Sequence, residues 1–126
     1  MVETKVYVGL NDAVTKQQIF ETEKYISVLQ HVCLAYGVSY SFSILEGGYI
    51  HKNGDVSRET TLLLNLIDIK RETVDAIARD LCAFFHQESV LITRGHVGSY
   101  FIKSNPLGTE KRFRRKKDQR TERVIL

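Results

Sequence analysis

Two strand-like stretches flank an Asn-Gly turn, and the register between them limits what this chain can fold into. In the first, Val38, Tyr40, Phe42 and Ile44 alternate with Ser39, Ser41 and Ser43. The second centres on Thr61-Leu62-Leu63-Leu64-Asn65-Leu66. Between them Lys52-Asn53-Gly54-Asp55 contains the strongest short hairpin signal. A two-residue turn at Asn53-Gly54 pairs His51 with Val56 and Leu45 with Leu62. Leu62, Leu64 and Leu66 then lie opposite Leu45, Ser43 and Ser41. The apolar faces miss by one residue, which a side-chain period of two forbids. One extra residue in the first arm restores Ile44 opposite Leu62. Gly47-Gly48 is the expected place for that bulge, because glycine accepts the positive φ a bulge often needs. The arms, Tyr49 to Lys52 and Asp55 to Glu59, are expected to project as a mostly polar ribbon.

The flanking segments complete a simple order. Lys5-Val6-Tyr7-Val8-Gly9-Leu10 reads as a strand. Thr15 with Gln18 reads as a capping box, opening a helix of about twenty residues. Ile19, Ile26, Leu29, Val32, Cys33 and Tyr36 mark its apolar stripe, and Gly37 ends it. Asp68 or a near neighbour caps a second helix with Val74, Ile77, Ala78, Leu81 and Phe85 on one face. Val90-Leu91-Ile92-Thr93 is the next strand, and Ser99-Tyr100-Phe101-Ile102 is expected as a short extra one. Pro106 and Gly108 mark a hinge.

Strand, helix, strand, strand, helix, strand makes two split βαβ units. Right-handed crossovers place both helices on one face of an antiparallel sheet. The expected class is α+β, a ferredoxin-like βαββαβ fold with an extended hairpin. The other sheet face carries Lys5, Tyr7, Ser39, Ser41, Ser43, Thr61, Leu63 and Asn65. Such a face is open to solvent or covered by a partner.

Charge divides the chain in two. Met1 to Ile102 holds nine Lys/Arg and twelve Asp/Glu, a net of −3. Lys103 to Leu126 holds nine Lys/Arg and three Asp/Glu, a net of +6. The expected division is a folded domain over 1–103 and a basic tail over 104–126. The tail includes Lys111, Arg112, Phe113, Arg114, Arg115, Lys116, Lys117 and Arg120. Lysine and arginine neutralise phosphates and an aromatic stacks on a base, so nucleic acid or an acidic protein surface is the expected contact. Cys33 and Cys82 sit within apolar helical patterns and are expected as thiols rather than a disulfide. The start of the chain lacks a charged-then-apolar leader, and no apolar run approaches the ~20 residues of a membrane span. The cytoplasm is therefore the expected compartment.

Gly48-Tyr49, the turn at Gly54, Glu59 before the long strand and Gln87-Glu88-Ser89-Val90-Leu91 after the second helix carry a resemblance. On these residues, over roughly Lys5 to Ile102, the chain resembles small ferredoxin-like bacterial and mobile-element proteins of unknown function. The resemblance implies the fold and no activity. Val6-Tyr7-Val8-Gly9-Leu10 is also similar to the first-strand motif of RNA-recognition motifs, but Thr61-Leu62-Leu63-Leu64-Asn65 lacks their exposed aromatics. Leu10-Asn11-Asp12-Ala13 lacks the glycine loop and arginine of acylphosphatases, and Val2 stands where tautomerases carry proline. The nitrogen-signalling trimers project a long loop in the place of this ribbon, but their phosphate-binding residues are not evident here. Metal-dependent ferredoxin-like nucleases keep an aspartate near the end of the first strand, a position that Asp12 occupies.

Candidate chemistry is sparse. Tyr49, His51, Arg58 and Glu59 lie on the hairpin, and His51, Glu46 and Glu59 are expected near its base. A histidine and a carboxylate there can exchange protons; a solvated charged hairpin with a salt link from Arg58 is the simpler reading. His86 beside a helix C-terminus is explained by the helix dipole. His31 and His96 belong to no local motif. The face of Tyr7, Ser39, Ser41, Ser43 and Asn65 is expected to bind a ligand or a second copy. No catalytic residue, metal or cofactor is expected. The resulting expectation is a small non-enzymatic binding protein of bacterial or mobile-element origin. It self-associates through its sheet, and its tail engages nucleic acid or an acidic partner. One version is an inhibitor of a nucleoprotein defence complex. The alternative is an oligomeric ferredoxin-like small-molecule enzyme or sensor.

If all six net charges of Lys103 to Leu126 meet phosphates, log K against log salt should fall with a slope of about −4 for single strands and −5 for duplex. Removing residues 111–126 should abolish that binding. Equal oligonucleotide binding by the full and shortened chains, titrated at low salt, would refute the nucleic-acid role.

Overall fold

The computed structural model describes residues 1–105, with all their side chains except that of Tyr49. The hinge at Pro106 and Gly108 and the basic residues Lys111 to Lys117 and Arg120 lie outside the described residues. The elements are β1 (Val2–Gly9), α1 (Thr22–Ala35), β2 (Ser41–Ile50), β3 (Val56–Ile67), α2 (Arg71–Phe84) and β4 (Leu91–His96). Four antiparallel strands form one sheet in the order β2-β3-β1-β4. This is the ferredoxin-like arrangement.

Alternation builds the core. Thr4, Val6 and Val8 from β1, Leu10 just after it, and Leu62, Leu64 and Leu66 from β3 are fully buried. Leu29, Val32 and Cys33 of α1 and Val74, Ile77, Ala78 and Leu81 of α2 close over them. Each fully buried leucine or isoleucine is worth roughly 1.5–3 kcal/mol over exposure. Thr4 is the one buried polar residue among those described, and Arg94 across the β1–β4 pair donates to its hydroxyl at 2.7 Å. Burial pushes the Cys33 thiol up to about 11, and both cysteines are free thiols.

The hairpin reaches the required register by a different device from the expected bulge. Pairing runs unbroken from Ser41–Asn65 through Ile44–Leu62 to Ile50–Val56. The extra residue sits in the turn. Lys52-Asn53-Gly54 forms a three-residue loop between His51 and Asp55. The Gly54 N–H donates to the His51 carbonyl at 2.9 Å, and the His51 N–H donates to the Asp55 carbonyl at 2.8 Å. Gly54 takes a φ of +92°, the left-handed residue that three-residue hairpin loops place last. Gly47 and Gly48 stay within the regular ladder.

Three other expectations are corrected. The first helix starts at Thr22, not near Thr15. Residues 11–18 instead form a closed loop bridged at Asn11–Gln18, in which the Thr15 hydroxyl contacts the Gln17 backbone. Ile19 and Tyr36 accordingly lie exposed, and Tyr25 is buried in edge-to-face contact with Phe85. Asp68 does not cap α2, whose flanking residue is Lys70. It takes a φ of +55° and pins the start of β1, exchanging hydrogen bonds with Val2. Finally, Ser99 to Ile102 form no strand, because β4 already ends at His96 on the sheet edge. Tyr100, Phe101 and Ile102 are each at least 80% exposed.

Gly54→Val should destabilise the hairpin by about 1–2 kcal/mol, the cost of a left-handed backbone for a branched residue. Gly54→Asn should cost much less, since asparagine tolerates that region. Amide exchange at His51 and Gly54 reads the difference; equal losses in the two variants would refute the turn assignment.

Candidate functional site

The β1–β3 register sets the site. Even-numbered β3 side chains enter the core, so Ser57 and Glu59 fall on the open face, just past the end of β1. Gly9 is needed there. A Cβ on Gly9 would overlap the Glu59 carboxyl group, which lies against the bare glycine. The Asn11 N–H donates to Glu59 Oε2 at 2.9 Å, and the Asn11 amide donates to the Arg58 carbonyl at 2.9 Å. Arg58 thus serves this corner through its backbone.

The loop after β1 is held by one carboxylate. Asp12 Oδ1 accepts the N–H groups of Val14 at 2.8 Å and Thr15 at 3.1 Å, and Oδ2 lies 3.1 Å from His86 Nδ1. The Thr15 N–H, then the Val14 N–H, hold this carboxyl below the usual aspartate range. Partial burial opposes them, and His86 lowers it further. The α2–β4 turn is clamped to the same loop. The Gln87 amide donates to the Asn11 carbonyl at 2.6 Å and to the Phe85 carbonyl at 3.2 Å. The Ala13 N–H donates to the His86 carbonyl at 2.9 Å.

Between these pieces lies a cleft of about 290 Å³. Asn11 to Ala13 and Lys16 form one wall, Gln87, Glu88 and Ser89 another, and His51, Ser57 and Glu59 the third. The His51 Nε2 contacts the Ser57 hydroxyl. Three carboxylates (Asp12, Glu59 and Glu88) face one lysine, so the cleft suits a small ligand that carries positive charge.

The expected residues are sorted by this geometry. His51 and Glu59 meet at the cleft. Glu46 does not join them: it pairs across to Thr60 on the opposite sheet face and accepts its hydroxyl at 3.2 Å. Tyr7, Ser41, Ser43 and Asn65 line the open sheet face, and Ser39 precedes β2. His31 is exposed on α1 and bonds to the Ser27 carbonyl. No group of three or more metal-binding side chains occurs among the described residues. Lys16 has no motif of its own, and Gln87, Glu88 and Ser89 stand out in the sequence only through a resemblance that implies no activity; two separate loops bring them together.

No family model and no curated protein matches this chain. Solved structures do. A phage SAM lyase in the apo state aligns over 75% of this chain and 78% of its own, at 23% identity and TM-score 0.60. The phage SAM lyase in complex with S-methyl-5'-thioadenosine aligns over 75% and 79%, at 23% identity and TM-score 0.59. CutA from Synechococcus elongatus aligns over 75% and 78%, at 17% identity and TM-score 0.45. The shared feature is the fold. The expectation of a non-enzymatic protein is overturned, because the two structures with TM-scores near 0.60 are those of an enzyme. None of the helices described is long and apolar enough to cross a membrane.

Because its folded pKa is depressed, Asp12 stabilises the loop fully above the ordinary aspartate range and loses that effect as pH falls through the folded value. Amide shifts of Val14 and Thr15 should therefore move together as pH falls below the ordinary aspartate range. Asp12→Ala should abolish the transition. An unchanged titration in the variant would refute the role of Asp12.

Proposed function

We propose that this chain is a homo-oligomeric enzyme that cleaves S-adenosylmethionine, or a close sulfonium relative, at the cleft between the Asn11–Lys16 loop, the hairpin base and the Gln87–Ser89 turn. The observation that carries this reading is an acidic, small-molecule-sized cleft on a fold shared with a phage SAM lyase over three quarters of both chains. A sulfonium is a permanent cation, and Glu59 and Glu88 supply the countercharge.

The chemistry asks little of the protein. Release of S-methyl-5'-thioadenosine requires the bond between sulfur and Cγ of the amino-acid chain to break, with the electron pair passing to sulfur. When a carboxylate oxygen of the same chain forms the new bond to Cγ, the products are the neutral thioether and a lactone that keeps the ammonium. Atoms and charge balance without water or proton transfer. The site must fold the chain so that carboxylate and Cγ approach, an orientation effect.

The open sheet face supports the oligomeric part. Tyr7, Leu63 and the serine row share it with Leu45, Ile67 and Leu91, and Leu91 is 60% exposed. Tyr100 to Ile102 extend from the adjoining edge. A second copy of the chain covers this surface in our reading, consistent with the rarity of large exposed apolar patches on monomers. The basic tail is an independent element. Its attraction to nucleic acid or an acidic surface rests on charge alone.

Full-length protein incubated with S-adenosylmethionine should release S-methyl-5'-thioadenosine, followed by chromatography. Glu59→Gln should lower kcat/KM by about 10–100-fold, or roughly 1.4–2.7 kcal/mol. Gly9→Ala should act in the same direction by displacing that carboxylate. Light scattering should give a multiple of the 14.5 kDa chain mass. The absence of both release and binding of S-adenosylmethionine would overturn the enzymatic reading, and a monomeric mass would overturn the oligomeric one.

A further inference from the structure

Among the described residues, Lys16 is the only Lys or Arg lining the cleft. Although three carboxylates share that lining, no carboxylate among the described residues lies within 4.0 Å of its ammonium. The backbone beneath it is unusual. Lys16 has a φ of +66°, a left-handed conformation that costs a side-chain-bearing residue about 1–2 kcal/mol and that glycine or asparagine adopts with little penalty. The loop enforces it. The Lys16 N–H donates to the Asp12 carbonyl at 2.8 Å, and the Asp12 N–H donates to the Gln17 carbonyl at 2.9 Å. Asn11 and Gln18 bridge behind them, and the Asp12 carboxylate holds Val14 and Thr15 in front. A strained residue held by surrounding bonds is a common property of ligand sites. Here it holds a cation at the rim of an acidic cleft.

We infer that Lys16 is the carboxylate-binding residue of this cleft, so that the ligand carries a carboxylate and a cation on one short chain, as an α-amino acid does. This inference rests on the enzymatic reading above and sharpens it: the site selects the amino-acid end of S-adenosylmethionine, not the nucleoside alone. One N–H of the ammonium donates a charge-assisted hydrogen bond to one carboxylate oxygen. The second oxygen stays free to form the bond to Cγ as the Cγ–S bond breaks and its electron pair moves to sulfur. Glu59 and Glu88, on the other two walls, take the sulfonium and the α-ammonium. A cleft with carboxylates alone would repel the ligand's carboxylate; Lys16 removes that repulsion at one point.

Calorimetric titration of the full chain with uncleavable probes tests this. S-adenosylhomocysteine carries the carboxylate, S-adenosyl-3-thiopropylamine lacks only the carboxylate, and S-methyl-5'-thioadenosine lacks the whole amino-acid end. The native protein should bind the first at least about 10-fold more tightly than the second, the loss expected for one charge-assisted contact. Lys16→Gln should weaken S-adenosylhomocysteine by about the same factor and leave the other two unchanged; Lys16→Arg should restore most of the loss. Equal affinity of Lys16→Gln and native protein for S-adenosylhomocysteine would overturn the inference. So would an equal loss for all three probes, which signals a distorted loop. If the native protein binds the probes and Lys16→Gln changes nothing, only the role of Lys16 falls. If the native protein binds none of them, the role of Lys16 falls, and if it also fails to bind or cleave S-adenosylmethionine the enzymatic reading falls with it.

Discussion

The pairing of β1 with β3 is the constraint on which the rest of this structure depends. Val6 opposite Leu64 and Val8 opposite Leu62 bury the centre of the sheet. A one-residue slip would turn Leu62, Leu64 and Leu66 to solvent and lose several kcal/mol of burial. The same period of two has a second effect beyond the last β1 pair, Gly9–Thr61. There the odd-numbered residues Ser57 and Glu59 emerge on the open face, with the Glu59 carboxyl group against the bare Gly9. Core register and carboxylate placement are one geometric fact, so selection on the core also holds the cleft in place.

A cleft at a strand end needs walls, and two loops supply them by holding each other. Asp12 satisfies three groups from one side chain: two loop N–H groups and the His86 ring. Gln87 returns the contact with its amide on the Asn11 carbonyl. Neither loop has a buried apolar anchor of its own beyond Leu10 and Phe85. Their positions therefore rest on charged and amide hydrogen bonds. This makes the lip more sensitive to acid than the core, whose burial does not titrate.

The fold was legible because it is written in periods. Every residue expected on the apolar face of α2 is buried, and Ile44 lies opposite Leu62 as the alternation required. The errors fall where side-chain hydrogen bonds outbid local signals. Thr15 and Gln18 match a capping box, but Asp12 takes the N–H groups of Val14 and Thr15 and holds the chain in a loop until Thr22. Asp68 looks like a cap, but the start of β1 is its partner. The extra hairpin residue was inferred correctly, but its place was not. Alternation counts residues between the faces, and a bulge and a three-residue turn give the same count. His51 and Glu59 could be named from the hairpin alone. Lys16 could not, and Gln87 and Glu88 could be named only as part of a resemblance, since the fold alone brings residues about 70 positions apart to one cleft.

The mistaken expectation of a non-enzymatic protein has a chemical origin in our reading. A search for catalysis in a sequence looks for proton donors, nucleophiles and metal ligands at characteristic spacings. Intramolecular displacement at a sulfonium needs none of these. The leaving group departs as a neutral thioether and requires no acid. The nucleophile is a carboxylate within the substrate and requires no base. What remains for the protein is a charge pattern, negative at the cation and positive at the carboxylate, held rigidly enough to fold a flexible chain. Such a pattern has no sequence signature, because Glu59, Glu88 and Lys16 acquire their relation only in three dimensions. It also accounts for the economy of the site. A short strained loop, one glycine beneath a carboxylate and one clamped glutamine shape the walls of a cleft of about 290 Å³.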